Sequence, residues 1–296
     1  MPIYDLTYRG WKGERTKTPA WFPILENTIK LAFRNKLLAN LYRACALPPL
    51  IASVFLYIQY SIRATQMGSG PRFANVEFFG LRQYVSFLSA QGIIAIAVAG
   101  VVGSQAIAAD RRGNALESLF SRAITRRDYL LGRFLGLFTL VLGATLIPGF
   151  IIWTSDLSFS LDSGQFVKTL SYPVRITAWA VMLSTSASLL ILAFSAMIRR
   201  GWLAIAAFAA FSLLSTSVMN AVAAAIRRQS ETASEFMRGF SYFDALYAVE
   251  GWIFGISKTE LNIRVSLVSS VAWLVFLAIL SIVILLRRVR PIEVVS

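Results

Sequence analysis

The 296 residues include no histidine and a single cysteine, Cys45. A disulfide within the chain is therefore impossible, and no Cys/His set exists that could hold a metal or a haem. Charge is scarce as well: 15% of the residues are Asp, Glu, Lys or Arg and 56% are hydrophobic, whereas soluble domains carry about 25% charged residues. No G-x-x-x-x-G-K-[ST] phosphate loop occurs, so the chain does not bind ATP in that manner. The apolar stretches contain neither a histidine-based nucleophile pair nor paired aspartates for hydrolytic or transfer chemistry. The expectation is a protein that is not an enzyme and uses no cofactor.

What charge there is lies between six uncharged runs, Ala44–Ile62, Gln83–Ala109, Phe134–Ser155, Ile176–Ile198, Gly201–Ile226 and Val265–Leu286. A helix needs roughly 20 apolar residues to cross about 30 Å of hydrocarbon. Buried helices of a soluble protein would each need a polar face, which these runs lack. The fold class is thus an all-α integral membrane protein with six transmembrane helices, approximately 44–62, 86–109, 130–153, 175–198, 202–225 and 265–286. Residues 1–43 precede this 44–286 membrane domain and 287–296 form a tail. No repeat or linker marks a second domain.

Of the 29 Lys and Arg, 19 fall on one side if the spans alternate from residue 44 onward. They flank the span ends as Arg43, Arg111–Arg112, Arg133, Arg199–Arg200 and Arg287–Arg288. Retention of such residues on the cytoplasmic side places both termini there. The same boundary pattern, rather than one basic stripe, argues against a nucleic-acid partner despite the net charge of +14. Ahead of the first span, Phe22, Leu25, Ile29, Phe33, Leu37 and Leu41 recur every three or four residues, predicting an amphipathic helix at the membrane interface.

Arg199-Arg200-Gly201 leaves almost no loop between spans four and five, which predicts a tight hairpin. Residues 227–264 differ from the other connections. Phe240, Tyr242, Phe243, Tyr247, Trp252 and Phe254 want an apolar surface, while glycines and the charges of Asp244 and Glu250 interrupt any span. Short interfacial or re-entrant helices and a folded outer loop both fit this pattern. Inside the runs Gln91 and Asn220 are candidate pathway residues, although such amides more often bond between helices. With no ionisable group in any run, ion-driven uphill transport has no residue to work with there.

Residues 109–133 read ADRRGNALESLFSRAITRRDYLLGR. Leu116, Leu119 and Phe120 share one helical face, with Glu117 beside them, giving a short amphipathic helix between spans two and three. Thr125 offers a cap, with Asp128 in the first turn of span three. A loop that only sets topology needs charge but no apolar face.

This segment resembles the acidic-Arg-Arg, Leu-Glu-x-Leu, Arg-x-x-Tyr-x-x-Gly pattern of permease subunits in ABC-2-type transporters, and the layout of the whole chain follows theirs. The sequence departs from that pattern at Ala123, where proline is frequent, and at Arg133, where lysine is common. The resemblance implies a cytoplasmic coupling helix within 110–129 that rests on a separate ATP-binding cassette ATPase subunit. Asp110, Arg111, Arg112, Glu117, Leu119, Phe120, Arg126 and Tyr129 carry over as its contact or framing residues. It further implies a homodimer or heterodimer of permeases in a bacterial cytoplasmic (inner) membrane, exporting a cargo. Charge-free spans suit an apolar or amphipathic molecule. The runner-up is a membrane anchor or assembly factor without transport activity.

Overall fold

A computed structural model describes residues 18–66, 80–115, 124–159, 169–257 and 264–289. Among them every regular element is an α-helix: α1 (Trp21–Phe33), α2 (Lys36–Gln66), α3 (Leu81–Ala106), α4 (Ala108–Arg112), α5 (Arg126–Phe159), α6 (Tyr172–Met197), α7 (Gly201–Ile226), α8 (Glu231–Arg238), α9 (Tyr242–Phe254) and α10 (Leu267–Arg288). Six of these, α2, α3 continued by α4, α5, α6, α7 and α10, are long and apolar enough to cross a membrane. The all-α, six-span expectation therefore holds.

The helices arrange in two tiers of burial. α3, α5 and α6 pack on one another at the centre, and their inward faces supply Leu88, Leu137, Trp179, Leu183 and Ile191 to the core. α2, α7 and α10 line the outside, where Ile51 is 69% exposed and Val268 75%. Apolar side chains left open in this way need lipid or another membrane helix as solvent. Small residues let the central helices approach. A Cβ on Gly103 of α3 would sit 2.5 Å from Ile191 of α6 and 2.7 Å from Leu137 of α5.

The amphipathic stretch is not one helix. α1 ends at Phe33, and Asn35 then accepts the Leu37 N–H through Oδ1 at 3.0 Å, capping α2. Leu37 and Leu41 consequently belong to α2. α1 lies along the first turns of α5, where Gly132 and Gly136 face it: a Cβ there would meet Ile24 at 2.7 Å and Thr28 at 2.8 Å.

The connection after α7 folds back among the spans. α8 retraces α7, with Ser234 donating to the Ala223 carbonyl at 2.8 Å. At the turn, Ser241 donates to Thr216 (3.1 Å) and the Tyr242 N–H to Ser215 (3.4 Å). Thr216 precedes the end of α7 by about ten residues, so the turn reaches about 15 Å into the bundle. α9 then climbs back between α3, α6, α7 and α10. Only glycine fits at the turn, since a Cβ on Gly239 would overlap the Ser269 hydroxyl at 1.9 Å. Of the two readings left open by the sequence, this is the re-entrant one. Of the six aromatic residues that demanded an apolar surface, Tyr242 and Phe254 are fully buried in it, Phe240, Phe243 and Tyr247 are half-buried, and Trp252 is 65% exposed.

Candidate functional site

α3 breaks at Ile107 because Ser195 of α6 offers an alternative to helical bonding. Its hydroxyl accepts from the Ile107 and Ala108 N–H groups (3.1 and 3.0 Å) and donates to the Ser104 carbonyl (2.9 Å). The chain restarts as α4, which turns Asp110 toward α5. The Asp110 carboxylate accepts from the Tyr129 hydroxyl at 2.6 Å and pairs with the Arg133 guanidinium. Arg133 also donates to Thr28 of α1 at 3.2 Å and lies over the Tyr129 ring, 5.7 Å from its centroid. Tyr129 is wholly buried and Arg133 nearly so. Four side chains thus bind α1, α4 and α5 into one unit. The start of α5 is capped reciprocally by Thr125 and Asp128, the Asp128 N–H donating to Thr125 at 3.2 Å.

Arg111 turns the other way, donating to the Ala196 carbonyl at the end of α6. Arg112 is exposed, and Arg126 is half-buried beside Tyr129 at the start of α5. Among the predicted contact residues, Asp110, Arg111, Arg112, Arg126 and Tyr129 therefore gather at one end of the bundle. Glu117, Leu119 and Phe120 lie outside the described residues.

Gln91 is buried where α2, α3 and α5 meet, its amide nitrogen donating to the carbonyls of Cys45 (3.2 Å) and Ala144 (2.9 Å). Asn220 sits apart from it on α7 and donates to Asp244 of α9 at 2.9 Å. The two pathway candidates do not share a surface: one ties spans together and the other holds the re-entrant helix.

Sequence reasoning left Arg133 out of the candidate set. A signal existed, because Arg133 follows Tyr129 by one helical turn and so shares its face. Two further groups carried no such signal. Asp156 stands just past the uncharged run that ends at Ser155, but α5 continues to Phe159 and the carboxylate is buried. It accepts from the Tyr60 and Tyr84 hydroxyls, each at 2.9 Å, and so joins α2, α3 and α5. Glu250 of α9 is fully buried and accepts from Ser89 of α3, 161 positions away, at 2.5 Å. The six runs are uncharged as read, yet the fold buries carboxylates beside them.

The family model of the ABC-2 family transporter proteins matches residues 37–289, all but the first helix and the ends of the chain. The chain belongs to the ABC-2 transporter family. No curated protein matches it. As an ABC-2 family member, this integral membrane protein is a membrane permease component of an ABC transporter, and permeases of this family typically work with an ATP-binding cassette partner. The matched region takes in Asp110, Tyr129 and Arg133 of the cluster but not Thr28, together with the Glu250 pair and the six spans from residue 37 onward.

Proposed function

We propose that the protein forms the substrate pathway of an ATP-driven exporter and couples to a separate ATPase subunit at the end of the bundle that carries Asp110. One arrangement supports this above the rest. Asp110, Tyr129, Arg133 and Thr28 join α4, α5 and α1, so a push on the connection that follows α4 is delivered to a span and to the interfacial helix together. A loop that only fixed topology would need positive charge but no such network. In this reading that end and both termini face the cytoplasm of a bacterial inner membrane. The exposed apolar faces of the outer helices include the contact with a second permease, identical or related. Asn220, half-buried beside Asp244, is the better placed of the two amides to line a route, and Gln91 serves to hold three spans.

Glu117→Arg, and separately the pair Leu119→Asp with Phe120→Asp, test the coupling role. A carboxylate placed where an apolar side chain should be buried costs several kcal/mol, enough to empty an interface of moderate affinity. Measured against the ATPase that co-purifies with the wild-type chain, the variants should lose co-purification or stimulation of hydrolysis at unchanged membrane insertion. Normal partner binding and normal stimulation would show that the segment is a topology loop, which is the result expected of an anchor or assembly factor.

A further inference from the structure

Glu250 stands out among the ionisable groups of the bundle. It lies on the returning arm of the re-entrant pair, is fully buried, and has one carboxyl oxygen held by the Ser89 hydroxyl while Oε1 has no hydrogen-bond partner among the described residues. The groups that face this arm can be named helix by helix. α3 presents Arg82, whose charge acts on Tyr247 rather than bonding to Glu250, together with Ser89. α6 presents Arg175, committed to the Phe254 carbonyl. α7 presents Asn220, committed to Asp244. α10 carries no charged residue between Leu267 and Leu286. On α8, Glu231 is paired with Arg264 at 2.8 Å, and Glu235 and Arg238 are half-buried before the turn, the buried Arg238 Nε having no hydrogen-bond partner among the described residues. No Lys or Arg among the described residues forms an ion pair with Glu250.

An isolated carboxylate in such a place is costly, and the cheaper state is the neutral acid. Burial accordingly pushes the Glu250 carboxyl well above the usual carboxylate range, with the Ser89 hydroxyl acting the other way. A neutral carboxyl holds its place against α3 at little cost, whereas an ionised one gains by reaching water. The arm that carries it runs from Gly239, packed closely against Ser269 at the turn, to Gly255, which is left-handed at φ 69°.

We propose that Glu250 is a proton-binding site that latches α9 between the spans, so that loss of its proton opens that end of the permease. The O–H bond of Glu250 breaks on opening and the proton passes to water that enters. Closure is favoured while the proton is held, persists above the ordinary carboxylate range, and is lost as pH rises through the raised value. This goes beyond the exporter reading and does not depend on the ATPase partner.

The test uses the full chain in membranes with Cys45→Ala and Ala245→Cys, since Ala245 is buried on the same arm. Labelling by a membrane-impermeant maleimide is followed against pH, and the same cysteine with Glu250→Gln corrects for thiol ionisation. Relative to that control the labelling rate should rise with pH by up to about tenfold per unit, the limit for one proton. Ser89→Ala, which removes the donor that favours the charged form, should move the rise to higher pH. Infrared spectra of the wild-type chain at neutral pH should contain a carboxylic-acid band that Glu250→Gln removes, a readout independent of labelling. Identical pH profiles with and without Glu250 would overturn the latch. An ionised Glu250 at neutral pH would overturn the proton site even if the glutamine variant failed to insert.

Discussion

Asp110 at the end of the second span and Arg133, two turns into the third, form an ion pair whose side chains are 17% and 8% exposed. The pair is closed on both sides, by the Tyr129 hydroxyl on the carboxylate and by Thr28 on the guanidinium. It is a buried ion pair in which one Asp110 oxygen takes both bonds while the buried Arg133 Nε has no hydrogen-bond partner among the described residues, so its desolvation is only partly repaid.

Breaking that pair from one side should be severe. Asp110→Ala leaves the Arg133 charge buried without compensation, a cost of about 3–5 kcal/mol. Thermal unfolding of the detergent-solubilised chain should show a clear loss of stability. Arg133→Lys keeps the charge but loses the fork that reaches both Asp110 and Thr28, so it should lie between wild type and Asp110→Ala. A stability for Asp110→Ala equal to wild type would mean the pair contributes nothing.

The contact between α1 and α5 should fail by steric means alone. Gly136→Val drives side-chain atoms into Thr28, which already sits 2.8 Å from a Cβ built there. Overpacking of this kind costs about 1–3 kcal/mol. The expected outcome is release of α1, read as faster trypsin cleavage at the exposed Lys30 and Arg34, with the six spans still protected. Unchanged cleavage would show that α1 is held by the membrane and not by α5.

Orientation is open to direct measurement. In a Cys45→Ala background, a cysteine at Ser163 should react with an impermeant reagent added outside intact cells, and one at Ser121 should react only after lysis. The reverse pattern would invert the assignment drawn from the 19 of 29 basic residues gathered on one side.

The six spans were legible because a lipid-facing helix must be apolar over its full length, so the requirement is local and is written in consecutive residues. Thr125 and Asp128 were legible as a cap for the same reason, since the bonded groups are three positions apart. The division of Phe22–Leu41 into two helices was less so: Asn35 caps α2 only once α1 has turned along α5.

What the sequence determined by itself is the class of molecule: hydropathy per residue sets membrane insertion, and the order Asp110-Arg111-Arg112 to Arg133 resembles one transporter family. Only the tertiary structure decided where the charges beyond the uncharged runs end up. By composition Asp156 only borders an uncharged run and Glu250 interrupts an aromatic-rich connection, yet each is buried against hydroxyls contributed by residues 72 to 161 positions away. Whether a carboxyl can be buried depends on the partner that meets it. That partner is fixed by how the helices pack, through the small residues that let α1, α5 and the re-entrant turn approach their neighbours, and not by anything in the carboxyl's own stretch of chain.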